Sequence, residues 1–281
     1  MTFVGRLERF AAVGSTQDVV RGWLAEGTAE VAVAVADEQL AGRGRLGRTW
    51  TAPPGAALLL SVGFRPTGLD LAHGWRLGAT VALAMGDAAE AQGLRDGTVR
   101  LKWPNDLAAA GTDGQPRKLG GVLGEVEADA SGRISTAVVG IGLNVDWRAR
   151  DFPAELGDSM TSLRELLGRQ ADRDALLDDF LARLEPRYLE LLDGRFDAGA
   201  WSTRQLTTGA RLVVEAGSET VIGRGVGVDP ESGALLLALD DGAERPIASG
   251  EVTRCRLLEA AAGSASGSAD ASASGSPSGS V

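Results

Sequence analysis

Hydrophobic and polar positions change their spacing several times along the chain, and each change predicts a new element. A first helix is expected to begin at Ser15, where Ser15 and Asp18 have the spacing of a capping box, and to end at Gly27. Its apolar face is formed by Val19, Val20, Trp23 and Leu24. The same helical spacing recurs over residues 71–92, 162–167 and 172–192.

Continuous apolar runs between these helices predict buried strands. The runs cover residues 31–36, 57–64, 99–103, 119–127 and 134–145. Pro104 stops the third run, and residues 129–133 form the turn of a hairpin between the last two. After Trp201 the apolar runs become short and are separated by turns rich in Gly, Asp and Ser. These short runs lie at residues 211–215, 220–228, 234–239 and 245–248.

This order of elements predicts an α+β fold with two folded domains. We expect a mixed-sheet domain over residues 1–200 and a small β-barrel of about fifty residues over 205–258. Residues 261–281 consist almost entirely of Gly, Ser and Ala. Such a segment buries too little apolar surface to offset its ordering entropy, so we expect a disordered tail.

Charge and composition exclude several classes of function. The formal net charge is −10, which gives the chain no overall electrostatic footprint for nucleic acid. The first residues do not combine positive charge with a long apolar run, as a signal peptide would, and no apolar run reaches the roughly eighteen residues of a membrane span. We therefore expect a cytoplasmic protein that binds neither nucleic acid nor membranes.

Histidine, cysteine and lysine are all rare. One cysteine (Cys255) and one histidine (His73) exclude an internal disulfide and a Cys/His zinc cluster. Helical apolar spacing around His73 favours a structural role, and Cys255 is interpreted as an ordinary strand residue. Among the 28 basic residues only Lys102 and Lys118 are lysines, and the rest are arginines. The ammonium of lysine is a compact point charge, whereas the guanidinium of arginine is planar and forked.

Residues 42–48 read Gly-Arg-Gly-Arg-Leu-Gly-Arg. The glycines match the dinucleotide-binding fingerprint, but that fingerprint needs a helix to start at the glycines. Pro53 and Pro54 follow too soon for a helix to propagate, so this interpretation fails. What remains is a flexible loop whose glycines allow close approach of a ligand and whose arginines can bind carboxylate or phosphate. A solvated basic turn is the alternative.

Three further motifs carry candidate chemistry. Residues 102–106, Lys-Trp-Pro-Asn-Asp, follow a strand, where α/β proteins commonly place functional groups. Turn chemistry alone would explain Asn105 and Asp106 but not Lys102. Lys118 begins another strand, and residues 140–145 form a strand whose glycines let a flat ligand or a backbone approach.

Taken together and in this order, these segments resemble the biotin protein ligase family. The motifs span residues 13–145, and the remainder is compatible with the family to about residue 258. The resemblance implies a catalytic domain related to class II aminoacyl-tRNA synthetases and an SH3-like C-terminal domain. It implies ATP-dependent formation of biotinyl-5′-AMP, with Mg²⁺ as cofactor, and transfer of biotin to a lysine of the biotin carboxyl carrier domain of a carboxylase. Because the motifs begin at Ser15, we expect the monofunctional form without an N-terminal DNA-binding domain.

The resemblance also implies roles for individual residues. Biotin is expected to contact Ser15, Thr16, Gln17, Gln39, Gly42, Arg43, Gly44, Arg45 and Lys118. ATP is expected to contact Arg45, Arg48, Trp50, Lys102, Asn105 and Asn144. The catalytic group is expected to comprise Lys118, Arg45 and Asp106, and no metal ligands are assigned. The family commonly has Ser-Thr-Asn where this chain has Gln17, which keeps the amide and adds one methylene.

Two other functions are consistent with this fold. A lipoate–protein ligase shares the architecture and the adenylate chemistry, although the arginine-rich loop and Lys-Trp-Pro-Asn-Asp favour biotin. A non-catalytic biotin sensor would require the loss of a motif residue, and none is lost. The oligomeric state is left open between a monomer and a ligand-dependent homodimer.

Overall fold

The computed structural model describes residues 3–111, 113–249 and 252–259, which form two sheets and five α-helices. The first sheet contains β1 (Arg6–Val13), β2 (Ala32–Gln39), β3 (Ala57–Phe64), β4 (Arg100–Lys102), β5 (Asp106–Ala110), β6 (Pro116–Ala128) and β7 (Ile134–Asn144). The helices are α1 (Thr16–Ala25), α2 (Trp75–Ala91), α3 (Leu163–Leu167), α4 (Arg173–Leu192) and α5 (Ala198–Arg204). The tail expected at 261–281 lies outside the described residues.

The first sheet is mixed and has helices on both faces. Its order is β1-β2-β3-β7-β6-β5-β4, and only β1 and β2 run parallel. Alternate side chains of β2 face opposite sides: Ala32 and Ala34 pack with α1, whereas Val33 and Val35 join the main core. That core also contains α2, which packs on β6 and β7, and α4, which packs on α2.

The second sheet follows α5 and is entirely antiparallel. It contains β8 (Arg211–Ala216), β9 (Glu219–Val228), β10 (Leu235–Ala238), β11 (Glu244–Ile247) and β12 (Val252–Glu259), in the order β11-β10-β9-β8-β12. The expected α+β fold, a mixed-sheet domain followed by a small β domain, is confirmed. The domain boundaries given above stay predictions. No helix in the described ranges is long and apolar enough to cross a membrane.

The capping box expected at the start of α1 is wrong. Ser15 does take the N-cap position, but its side chain makes no capping hydrogen bond. Instead the Gln39 side-chain oxygen accepts from the Thr16 backbone N–H at 2.8 Å, so a residue at the end of β2 caps the helix. Asp18 bonds to the guanidinium groups of Arg21 and Arg43 rather than turning back to Ser15.

A buried charge network joins the two halves of the chain at α5. Arg204 donates to Glu90 at 2.8 Å, to Asp87 at 2.5 Å and to the Val99 carbonyl at 2.7 Å. The Glu90 side chain is only 5% exposed, so removing Arg204 would leave a buried carboxylate without its ion-pair partner. The network fixes α5, and with it the start of the second sheet, to α2 and β4.

We expect Arg204→Ala to lower the free energy of unfolding by about 2 kcal/mol. This is less than the 3–5 kcal/mol typical of a fully buried pair, because water reaches Arg204 and Asp87. Chemical denaturation measures the change. The control is Arg195→Ala, which removes an exposed ion pair with Asp193 and should cost under about 0.5 kcal/mol. Equal stability of the two variants would contradict the structural importance of the network.

Candidate active site

One cleft of about 520 Å³ contains nearly all the residues singled out from the sequence. Those that line it are Thr16, Gln17, Gln39, Arg43, Gly44, Arg45, Arg48, Trp50, Lys102, Asn105, Asp106, Lys118 and Asn144. Ser15 is buried at the start of α1 and Gly42 precedes the lining part of the loop, and neither lines the cleft. Residues from α1, from five strands of the first sheet and from the arginine-rich loop therefore converge at one place.

One end of the cleft is lined by uncharged polar side chains. The Gln39 oxygen accepts from both the backbone N–H and the hydroxyl of Thr16, at 2.8 and 2.9 Å. The Thr16 hydroxyl also lies 2.8 Å from that of Ser61 on β3. Gln17 Nε2 donates to the Leu123 carbonyl at 3.1 Å. These bonds hold the polar groups in fixed orientations.

Lys118 lies in the middle of the cleft. Its Nζ is 2.6 Å from Asp106 Oδ1 and 5.2 Å from the centroid of the Trp50 ring. Strand pairing produces this geometry, because a bulge between β5 and β6 sets Asp106 opposite Gly121 and Lys118 opposite Ala108. The Lys118 side chain remains 38% exposed, so a ligand in the cleft can reach the ammonium.

Glycines make room for the Trp50 indole. A Cβ atom at Gly142 would lie 2.6 Å from the Trp50 ring, and one at Gly121 would lie 3.5 Å from it. The ring therefore packs on the backbone of β6 and β7, and a larger residue at 142 would displace it. This close approach explains the glycine-rich strand noted in the sequence.

Residues 42–50, the arginine loop, form a closed hairpin over the cleft. Gly44 N donates to the Arg48 carbonyl at 2.7 Å and Trp50 N to the Gly42 carbonyl at 2.9 Å. Arg45 is half-buried and donates to the carbonyls of Ser249 and Val252. Val252 is the first residue of β12 in the second sheet, and Ser249 lies between β11 and β12. Burial lowers the pKa of this guanidinium. The loop thus bridges the two sheets across the cleft.

The other anchor of the arginine loop is an ion pair with α1. Arg43 donates two hydrogen bonds to Asp18, at 2.8 and 2.9 Å. The bond from Arg43 is the largest cause of a lowered pKa at the Asp18 carboxyl. The pair therefore stabilises the fold above the ordinary Asp pKa, and this contribution is lost only when the pH falls through the lowered value.

Asp18→Asn is expected to make trypsin cut the arginine loop about two- to fivefold faster at neutral pH. An exposed ion pair contributes up to about 1 kcal/mol, which limits the effect to this range. Limited proteolysis with mass-spectrometric assignment of the cut sites measures it. Asp178→Asn, at an exposed position on α4, is the matched control. Unchanged cleavage would mean that other contacts hold the loop.

The structure adds an apolar wall that the sequence reasoning missed. Trp147, Pro153, Leu156 and Met160 line the cleft. They follow Asn144, which ends β7 beyond Gly140, the glycine that packs against Gln17. Trp147 and Met160 pack in one small buried cluster, and Asn144 ties this segment to β7 by donating to the Thr161 carbonyl at 3.0 Å. The signal available in the sequence was the group of large apolar residues after Asn144 in an otherwise polar segment.

Strand β12 of the second sheet forms another missed part of the cleft. Val252, Arg254, Cys255 and Arg256 line it. Burial raises the pKa of the Cys255 thiol to about 11, so the thiol stays protonated at neutral pH. His73 does not line the cleft and lies 3.2 Å from Glu231, in keeping with the non-catalytic role expected for it.

The charges lining the cleft suit an anionic ligand. Arginines and lysines from both sheets surround it, while Asp106 is the only acidic lining residue among those described. The described residues contain no group of three or more His, Cys, Asp or Glu that could hold a metal. The amide oxygens of Asn105 and Asn144 also line the cleft and are the groups that could hold a Mg²⁺ ion whose other ligands come from water and nucleotide phosphates.

Comparison with known proteins identifies the family. Residues 10–144 match the Biotin/lipoate A/B protein ligase family. The chain is 32% identical over 256 residues to the biotin–[acetyl-CoA-carboxylase] ligase of Mycobacterium tuberculosis. The aligned region covers 89% of this chain and 90% of that protein. The chain belongs to the biotin protein ligase family. The resemblance stated from the motifs is thereby confirmed.

Two other members of the biotin protein ligase family are similar over most of the chain. The bifunctional ligase/repressor BirA of Bacillus subtilis is 32% identical over 236 residues, covering 83% of this chain and 69% of that protein. The structure of the Aquifex aeolicus biotin protein ligase in complex with biotin and ATP superimposes with a TM-score of 0.74 at 29% identity. That match covers 90% of this chain and 99% of the other.

Proposed function

We propose that this protein is a biotin protein ligase that activates biotin with ATP and transfers it to a lysine of a biotin carboxyl carrier domain. The observation that carries the proposal is the order of surfaces along β7 in one cleft. The amide-lined end has Gln17 against Gly140, the cationic middle has Trp50 against Gly142 beside Lys118, and the apolar wall follows Asn144. Biotin has a polar ring, an apolar chain and a carboxylate, and adenine is flat and apolar on its faces. The order of surfaces fits a biotinyl-adenylate laid along the cleft.

In this proposal the two substrates take opposite ends of the cleft. The biotin ring occupies the end between Gln17 and Gln39, and its chain runs alongside the Trp50 ring, which covers Gly142, towards Lys118. The nucleotide lies at the opposite end, with its base against Trp147 and Met160. Arg48, Lys102, Asn105 and Asn144 then surround the phosphates, and Trp50 covers the junction.

In the first step a biotin carboxylate oxygen attacks the α-phosphorus of ATP. A new P–O bond forms, the bond to the β-phosphate oxygen breaks, and pyrophosphate leaves. Because two anions approach each other, the protein must supply positive charge and orientation. Lys118 and Arg45 supply both at the junction, and Asp106 holds the Lys118 ammonium in place at 2.6 Å. Mg²⁺ would neutralise phosphate charge next to Asn105 and Asn144.

In the second step the amine of the acceptor lysine attacks the biotinyl carbonyl carbon and AMP leaves. The amine must lose a proton, and Asp106 is the only carboxylate of the described cleft that could accept one. We assign Asp106 primarily to positioning, because its Oδ1 is already bonded to Lys118. Between the two steps the mixed anhydride must be kept from water, and the arginine loop lies over the cleft to do so.

The test is transfer of biotin to a purified biotin carboxyl carrier domain, read by streptavidin blot. We expect labelling that requires ATP and stops when Mg²⁺ is chelated, and no transfer of lipoic acid supplied in parallel. Transfer of lipoic acid alone would make the protein a lipoate–protein ligase. Tight biotin binding without transfer to a competent acceptor would make it a sensor.

A further inference from the structure

A second cavity, of about 260 Å³, adjoins the cleft. Residues 102–106 line both cavities and therefore form part of the wall between them. Asp106, whose carboxylate is bonded to Lys118, belongs to this wall. The outer end of the second cavity lies at the surface, because Leu71 and Val126 line it and are 48% and 38% exposed. This cavity, the side passage, thus leads from solvent to the junction assigned to the two substrates.

The walls of the side passage are largely apolar. Helix α2 supplies Trp75, Leu77 and Ala82, and β6 supplies Val122 and Val126. The volume is below the about 300–1,000 Å³ that is typical of a site for a whole small molecule. A small apolar passage suits a single hydrocarbon chain, which buries its methylenes and carries its polar group at the far end.

Gly78 and Gly124 line the side passage, although neither backbone conformation nor packing requires a glycine there. Gly78 lies within α2 and Gly124 within β6, and neither has a positive φ. A Cβ atom at Gly124 would meet no other described atom within 4 Å, and one at Gly78 would make an ordinary contact of 3.8 Å with Val122. Glycine disfavours a helix and weakens a strand. What these two glycines provide is open space in the passage.

The inner end of the side passage is charged. Arg45 and Lys102 line it together with Asp106. Apolar walls and two positive groups disfavour a protonated ammonium, so an amine that enters here is favoured in its neutral, nucleophilic form. The arginine loop and Trp50 lie over the cleft itself. The side passage is therefore a route to the junction that does not require the arginine loop to open.

We propose that the side passage admits the side chain of the acceptor lysine. Its four methylenes lie against α2 and β6, and its amine reaches the biotinyl carbonyl beside Asp106. The acceptor domain stays outside, against the surface at Leu71 and Val126. The bonds made and broken are those of the second step described above. The inference rests on the proposed function, because it concerns how the acceptor reaches the adenylate.

The central experiment replaces Gly124 by leucine, whose side chain projects on the same face of β6 as Val122 and Val126, into the side passage. We expect kcat/KM for the carrier domain to fall about a hundredfold, while biotin-dependent pyrophosphate exchange stays within about twofold. Hydroxylamine, a small nucleophile, should cleave the bound adenylate within about threefold of the wild-type rate. Gly227→Leu is the matched control, because Gly227 also lies within a strand and has open space at its Cβ.

Binding of an inert carrier domain separates the passage of a side chain from the docking of the domain. A carrier domain whose acceptor lysine is replaced by alanine can dock but inserts nothing. Its Kd for Gly124→Leu should lie within about threefold of the wild-type value, a difference below about 1 kcal/mol.

A reversible block tests the passage within one folded sample. Gly124→Cys treated with butyl methanethiosulfonate should lose transfer to the carrier domain but keep pyrophosphate exchange, and dithiothreitol should restore transfer. The unsubstituted protein is the control, because its Cys255 is buried and should not react. Transfer that persists after complete modification would overturn the proposed route.

The outcomes separate the route from the proposed function. If the wild-type protein makes no biotinyl-adenylate, the proposed function fails. If Gly124→Leu transfers biotin to the carrier domain at the wild-type rate, the route alone is overturned. The route is also overturned if pyrophosphate exchange falls as far as transfer does, or if the alanine carrier domain no longer binds. In those cases the leucine acts on the cleft or on docking.

Discussion

Replacement of Lys118 by alanine is expected to slow adenylate formation about a thousandfold while the protein stays folded. Lys118 is the lysine held at the centre of the cleft, with Nζ 2.6 Å from Asp106 and directed at the junction assigned to the two substrates. Removing one preorganised donor from a developing anion costs about 10² to 10³ in kcat, and here the donor also carries a full charge. Biotin-dependent exchange of pyrophosphate into ATP measures the step.

Two matched variants separate charge from position in this prediction. Lys118→Arg keeps the positive charge but offers a planar fork in place of a compact ammonium, so we expect it to recover only a small part of the rate. Asp106→Asn keeps Lys118 and removes the carboxylate that holds it, so we expect a loss of about tenfold. Near-normal exchange by Lys118→Ala would remove Lys118 from the mechanism.

Replacement of Arg45 by glycine is expected to let biotinyl-5′-AMP escape about a hundredfold faster. The Arg45 guanidinium bonds to the carbonyls of Ser249 and Val252, and these bonds tie the arginine loop to the second sheet. A hydrogen bond from a charged group contributes about 1.5–3 kcal/mol, so losing the link changes loop opening by about two orders of magnitude. The escaping adenylate should biotinylate bystander lysines, which labelling of added albumin without acceptor domain measures.

Leu46→Gly is the control for loop flexibility. Leu46 is exposed at the tip of the arginine loop, and the φ of 58° there is one that glycine adopts without strain. The variant introduces a glycine beside Arg45 but leaves the Arg45 bonds intact. Comparable adenylate release by both variants would assign retention to the stiffness of the loop and not to the link with the second sheet.

The parts of the fold that the sequence predicts are those with a strong local pattern. Strand β3 is buried along its whole length, and its continuous apolar run gives its ends as Ala57 and Phe64. Strand β1 was missed because it lies at the sheet edge and mixes charged with apolar residues. Strand β5 was missed because Pro104-Asn105-Asp106 has the composition of a turn, although Asp106 begins a strand.

The candidate site likewise has parts with a strong local sequence pattern and parts without one. The motifs singled out the arginine loop and Lys118, which both line the cleft, because each motif carries its own chemical signature. The apolar wall at Trp147 and the contribution of β12 carry no such signature. Residues from β12 reach the cleft because the second sheet packs against the arginine loop, which lies some two hundred positions earlier in the sequence. The hydrogen bond from Arg45 to the Val252 carbonyl is one contact between them. No local pattern encodes contacts of this kind.

The contact between the arginine loop and the second sheet uses main-chain oxygens as acceptors. Every residue type provides such an oxygen, so substitutions at Ser249 and Val252 can accumulate without breaking the link. Insertion or deletion of a residue between them would shift one oxygen relative to the other, so that the guanidinium could no longer bond to both. Over evolutionary time the turn before β12 is therefore free to drift in composition while its length is held constant.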